Sequence, residues 1–169
     1  MKIVFLLACA FLLSCGCGCS LYHSAWLRGS DHQLVQNIIG PLNEARAKGR
    51  TCGHTFFKSA QPVVWNDKLG DVSMDHSLDM AKTGHLGHGG SDASGPEERI
   101  SRSGYRWASY GENIGQGYRT PEYAIKAWLK NEVYCANIMN PGFREAGAAY
   151  AKNSNLRSFW TLILARPKR

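Results

Sequence analysis

The chain opens on an eleven-residue apolar run, Ile3–Leu13, behind the positive charge of Lys2. A membrane-spanning helix needs roughly 18–20 apolar residues. This run has instead the length of a secretory h-region, which is cleaved from the mature protein. Setting it aside leaves enough chain for one domain, since roughly 100–200 residues build a single core. It also changes the cysteine arithmetic: Cys9, Cys15, Cys17 and Cys19 lie at the amino terminus, and only Cys52 and Cys135 remain in the folded part. In an exported domain two cysteines most simply form one disulfide; a nucleophilic Cys–His pair is the alternative. Such a bridge would close a loop of about 84 residues and contribute roughly 4–5 kcal/mol in the chain-entropy description.

The end of the apolar run, Leu12-Leu13-Ser14-Cys15, resembles a lipobox, in which signal cleavage precedes a lipidated cysteine. This predicts a signal over 1–14, lipidation at Cys15, a tether over 15–30 and a folded domain over 31–169. Several acyl chains on one cysteine would hold the protein on a membrane. Plain secretion is the alternative. Lys and Arg exceed Asp and Glu by 20 to 13, a formal charge of +7. No run of basic residues is longer than two and no helix carries a basic stripe, so a nucleic-acid partner is not expected. The charge reads as a solvated basic surface facing an anionic envelope.

Apolar residues from Leu34 to Ala45 recur at steps of three and four behind a capping-box spacing at Ser30 and Gln33, with Pro41 bending the helix or restarting it. Thr51 to Trp65 reads as an extended loop. Asn66 caps a second helix that runs to Thr83 and closes at Gly84, with Leu69, Val72, His76 and Met80 on one face. His76 reads as a buried, hydrogen-bonded core residue. The segment from Gly84 to Gly95 holds five Gly and two His and reads as a loop. Ser94 caps a short helix ending at Gly104. Gly111–Gly117 is a short strand or turn carrying Glu112, and Thr120 starts a further helix interrupted at Pro141-Gly142. Gly147–Ala151 and Ser158–Ala165 are strand-like runs joined by a polar turn. Helices early and strands late predict an α+β domain.

The chain has no nucleophile elbow, P-loop, HExxH or CxxC pair. What remains is His85 and His88 in a Gly-rich loop and Glu112 in Tyr110-Gly-Glu-Asn-Ile-Gly115. An imidazole and a carboxylate are the minimum for a divalent metal or for proton transfer.

Read together, several segments resemble the CAP superfamily (cysteine-rich secretory proteins, insect antigen 5, plant pathogenesis-related proteins), and within it the bacterial extracellular, SCP-domain branch. They are Asn43-Glu-Ala-Arg46, Arg50-Thr-Cys-Gly53, Val64-Trp-Asn-Asp-Lys-Leu69, His76-Ser-Leu-Asp-Met-Ala81, His88-Gly-Gly-Ser-Asp92 with Arg99, Gly104-Tyr105, Gly111-Glu-Asn-Ile114, Trp128, Cys135-Ala-Asn-Ile-Met-Asn-Pro141 and Phe159-Trp-Thr161. The resemblance implies a three-layer α-β-α sandwich with a small antiparallel sheet, and supports a Cys52–Cys135 disulfide. It also implies a cleft that in eukaryotic members is built from two His and two Glu and holds a divalent cation, often zinc.

Matched one at a time, the first His is His88 and the first Glu is Glu112. The second Glu falls at Asn131, with Glu132 one place away, and the last His falls at Phe159. Bacterial relatives place a His just before the Cys135 position, where this chain has Tyr134. Leu162 stands where the family has Gln, a further departure assigned to the cleft. His85 and Glu132 would complete the site only if the backbone turns them inward. Zinc wants three or four ligands, and a phenol with an ordinary pKa of about 10 is a poor one. Tyr134 would instead hydrogen-bond His88 or Glu112. These departures favour a non-catalytic binding module whose degenerate cleft takes a lipid, sterol-like or protein ligand. A structural role on cell-wall polymer and a metal-dependent hydrolase or protease using His88 and Glu112 are the alternatives.

Overall fold

The computed structural model describes residues 32–169. The signal, Cys15, the tether and the Ser30 cap lie outside the described residues. The elements, in chain order, are α1 (His32–Arg46), β1 (Arg50–Cys52), β2 (Thr55–Phe57), β3 (Val64–Trp65), α2 (Asp67–Thr83), α3 (Pro96–Arg102), β4 (Trp107–Gln116), α4 (Pro121–Trp128), α5 (Glu132–Met139), β5 (Glu145–Lys152) and β6 (Ser158–Pro167).

The strands from β3 to β6 form one sheet in the order β3-β5-β6-β4. It is antiparallel through β5, β6 and β4 and gains a parallel edge where Val64 and Trp65 pair with Glu145 and Ala146. Residues Ser158–Ala165 of β6 are all buried, and their alternation divides the core. Trp160, Leu162 and Leu164 pack with α1, α4 and α5. Ile163 and Ala165 pack with Leu69 and Val72 of α2 and Ile100 of α3, while Phe159 joins Met80 of α2. Helices on both faces of one sheet make a three-layer α+β sandwich.

The start and stop of α2 are where the sequence puts them. The Asn66 side chain accepts from the Leu69 N–H, and Gly84 adopts φ 70° with its N–H bonded to the Met80 carbonyl. Asn66 Nδ2 also donates to Glu145 Oε2 at 2.9 Å, tying the start of the helix to β5. Because β3 pairs with β5 only at its beginning, carbonyls further along β5 need other donors. Ser73 Oγ donates to the Gly147 carbonyl, and Ser77 Oγ reaches the Ala149 carbonyl and Thr161 Oγ1. Gly147 permits this approach: a Cβ there would overlap the backbone of Leu69 and Gly70.

On the other face Arg46 is fully buried without a carboxylate partner among the described residues. Its guanidinium donates to the carbonyls of Gln61, Ile138, Asn140 and Phe143, joining the end of α1 to the end of α5. Burial, with a smaller contribution from Arg144, lowers its pKa to about 10. Cys52 and Cys135 form a disulfide across 83 positions, with Cα atoms 5.5 Å apart, pinning α5 to the β1–β2 hairpin.

Four expectations need correction. Thr51–Trp65 is not one extended loop: Arg50–Cys52 and Thr55–Phe57 pair as a hairpin around Gly53, whose φ of 58° permits the reversal. Helix α3 is capped from Gly95, because the Ser94 hydroxyl is drawn to Asp92 Oδ1. The Glu112 strand is ten residues long, its glycines tolerated because Gly111 and Gly115 face Asn137 and the Tyr118 and Trp128 rings. The region before Pro141 is two helices, since Asn131 starts α5 afresh by accepting from the Tyr134 N–H.

Substituting Gly147→Ala is expected to lower stability by about 3 kcal/mol or more, because backbone has to move to relieve the overlap. A shift in the denaturant midpoint well below that size would show that α2 can slide on β5.

Candidate functional site

Strand β4 is an edge of the sheet, so a side chain on its α2 face lies close to whatever wraps around that edge. Glu112 pairs with Ile163 across β6 and points to that face. Its side chain is 2% exposed while that of His88 is 48% exposed. His88 Nδ1 lies 2.7 Å from Glu112 Oε1. Arg99, brought in by α3, donates from Nη2 to Glu112 Oε2 at 2.8 Å. The same guanidinium reaches the His88 carbonyl from Nη2 and the Ser94 carbonyl from Nη1. One arginine therefore holds the carboxylate and the loop that carries the imidazole. Since a carboxylate only accepts, His88 Nδ1 carries the proton toward Glu112 and Nε2 faces outward.

Nε2 meets Tyr134, whose hydroxyl lies 3.4 Å away, and the two rings stand edge to face at 6.2 Å. Tyr134 arrives from α5 around the β4 edge, and two asparagines fix that helix there. Asn113 Nδ2 donates to the Tyr134 carbonyl at 3.1 Å, and Asn137 Nδ2 donates to Asn113 Oδ1 at 2.9 Å. Burial first, then the charge of Glu112, raises the Tyr134 pKa above its ordinary value, against an opposing hydrogen bond from the Ile114 backbone. Tyr134 therefore stays a phenol. Leu86 and Tyr134 pack over the cluster of Met80, Ala81, Ile114, Ala151 and Phe159. The outward edge of the imidazole thus lies beside the Tyr134 ring.

The structure brings His88, Glu112 and Tyr134 together and leaves the other candidates apart. Glu132 lies with its carboxylate over Gly53 of the hairpin, where a Cβ would collide with it. His85 is exposed and packs beside Gly87. Leu162 is corrected: it faces the α1–α4–α5 core, on the opposite side of the sheet from Glu112. Phe159 fills the base of the site at 1% exposure. His76 is buried, its Nε2 2.9 Å from the Gly87 carbonyl, and desolvation lowers its pKa despite the raising influence of Glu112. Arg99, Asn113 and Asn137 carry no role in the sequence reading. The spacing of Arg99 from His88 marks a motif, but nothing in it indicates a guanidinium with both terminal nitrogens occupied.

The zinc site implied by the resemblance does not fit these donors. Both Glu112 oxygens and His88 Nδ1 are already taken by one another and by Arg99, leaving one imidazole nitrogen and a neutral phenol. Among the described residues no group of three or more His, Cys, Asp or Glu is placed to hold a metal ion.

Residues 42–164 match the model of the cysteine-rich secretory protein family, CAP. Over 101 residues the chain is 30% identical to the uncharacterized protein YkwD of Bacillus subtilis (strain 168), covering 60% of this chain and 38% of that one. An extracellular protein containing a SCP domain from Bacillus anthracis superposes with a TM-score of 0.66 at 22% identity, over 79% of this chain and 40% of that one. An outer surface protein from Borrelia burgdorferi superposes at 0.60 and 15% identity, over 64% of this chain and 80% of that one. The chain therefore spans less than half the length of YkwD and of the Bacillus anthracis protein.

Zinc titration by calorimetry is expected to show no tight binding to the wild-type chain and a gain of binding in Tyr134→His, which places a second imidazole opposite His88 Nε2. Tight wild-type binding abolished by His88→Ala would mean that the Glu112 bonds yield to a metal.

Proposed function

We propose that this chain, which belongs to the cysteine-rich secretory protein (CAP) family, is an exported, non-catalytic binding module whose cleft presents one oriented imidazole to an amphiphilic ligand such as a lipid. The observation that carries this reading is the saturation of Glu112. With its oxygens committed to His88 and Arg99, the carboxylate orients the imidazole and leaves His88 Nε2 facing outward beside Tyr134. A polar head on Nε2 with an apolar body along the Tyr134 ring fits this arrangement.

A hydrolase asks for more. Carboxylate, imidazole and hydroxyl do stand in a row, as in a nucleophile–base–orienter arrangement. The hydroxyl in that row is a phenol whose ionisation is pushed upward, and the donors for a metal-bound water are lacking. The +7 charge favours a second reading, a tethered domain resting on anionic wall polymer, whose binding would fall steeply with salt.

Export is supported by the disulfide, which persists in oxidising compartments, and by similarity to proteins described as extracellular and as an outer surface protein. Anchoring through Cys15 rests on the lipobox resemblance.

A fluorescent fatty acid such as cis-parinaric acid is expected to bind saturably, insensitive to chelators, and at least about tenfold more weakly to Tyr134→Ala. Chelator-sensitive hydrolysis lost in His88→Ala would replace this reading with the enzyme. In cells, Cys15→Ser is expected to abolish labelling by palmitate and move the protein from the membrane fraction to the soluble one. Unchanged labelling would assign the acylated cysteine elsewhere.

A further inference from the structure

Strands β5 and β6 are joined by the tight turn over 153–157, beyond their last pair, Lys152 with Ser158. Asn153 builds this turn. Its N–H donates to the Arg157 carbonyl, its carbonyl accepts from the Leu156 N–H, and its Oδ1 accepts from the N–H groups of Asn155 and Arg157. The turn is held from within, and Leu156 is fixed at φ 60°. Hairpin loops that end on a left-handed residue usually place Gly or Asn there. A leucine at that place crowds its Cβ against the backbone. The fold gives nothing back for this, because Leu156 is 77% exposed, more than any other large hydrophobic residue among those described. One exposed leucine on an ordinary surface needs no explanation. One held where both the backbone and the solvent disfavour it does.

The tip is ringed by positive charge. Lys152 and Arg157 flank it and are exposed. Exposed Arg119 is brought alongside, because the Tyr118 carbonyl accepts from Ser158 Oγ and Trp160 Nε1 while the Gly117 N–H donates to the Ser158 carbonyl. None of the three cations has a carboxylate within ion-pair distance among the described residues.

These features select a partner. A specific protein interface covers roughly 800 Å² on each side, far more than one side chain at the end of a hairpin offers. A lipid surface needs no matching shape: an apolar side chain enters the acyl boundary while each nearby cation adds its own attraction to anionic headgroups. We propose that the β5–β6 turn is a membrane-docking tip, which inserts Leu156 into an anionic lipid surface and sets Lys152, Arg157 and Arg119 on its headgroups. The tip lies apart from His88 and Glu112, and it stands without the ligand of the proposed function and without acylation of Cys15. The next residues inward, Ala151 and Phe159, belong to the cluster on which Tyr134 packs, so docking brings that side of the domain toward the lipid.

The test places a reporter at the tip, so that an anchor elsewhere in the chain does not mask the result. The full chain carrying Leu156→Trp is mixed with vesicles of brominated phosphatidylcholine, with and without phosphatidylglycerol, and its fluorescence is read as the difference from wild type. The expected result is a blue-shifted, quenched emission in the phosphatidylglycerol vesicles that is lost in high salt. Adding Lys152→Ser and Arg157→Ser is expected to lower the ratio of docked to free tip about tenfold or more. Emission that stays water-like with phosphatidylglycerol overturns the proposal, as does equal quenching in phosphatidylcholine alone or indifference to the two serines. Leu156→Gly, measured in denaturant, is expected to unfold at a midpoint no lower than wild type. A lowered midpoint would mean that this leucine serves the fold, and would overturn the proposal equally.

Discussion

Strand β6 has no solvent face, and the other layers are arranged by that fact. Eight successive residues, Ser158–Ala165, are buried, so each of its two rows of side chains must be covered by helices. The sheet cannot end against water on either side, and the chain has to supply a helical layer before and behind it. Within that arrangement polar groups survive only where a partner is built in. Thr161 meets Ser77 on one face, and on the neighbouring strand Glu112 meets His88 and Arg99. The carboxylate is placed by the period of β4, and its neighbours are the means by which a buried charge is tolerated.

That logic separates the two ends of the molecule. Around Arg46, a buried guanidinium meets no carboxylate among the described residues and donates to carbonyls at the end of α5 and in adjacent loops. Around Arg99, the same kind of side chain serves an ion pair and two loop carbonyls. The first arrangement holds together elements distant in sequence and presents nothing to solvent. The second leaves one imidazole half exposed. A fixed charge serves as scaffold in one place and as the support of a surface in the other, depending on whether a titratable group closes the network.

Much of this is legible in the residues. The α2 helix is marked at both ends by Asn66 and Gly84, and the last two strands by apolar, strand-like runs and a polar turn, because these signals are local. Resemblance singles out His88, Glu112 and Tyr134, and the fold brings His88 and Tyr134 together across 46 positions. The hairpin at Cys52 is hard to read because its strands are three residues long and only Gly53 signals the reversal. A motif match carries no parity, which is why it puts Leu162 on the wrong face. Only the pairing of Glu112 with Ile163 shows that Leu162 points to the opposite core. Asn113 and Asn137 have no periodicity to announce them, since their partners are a side chain and a main-chain carbonyl in other elements.

The disulfide has a consequence for timing. Cys135 directly follows Tyr134, and the bridge secures the start of α5 to the β1–β2 hairpin. The aromatic wall of the cleft is thus anchored on one side by asparagine hydrogen bonds to β4 and on the other by a covalent tie that forms only under oxidising conditions. A newly made chain in a reducing compartment has every residue of the cleft but lacks half of its brace. The wall is fully braced only where the disulfide can form, so completion of this surface is coupled to the redox state around it.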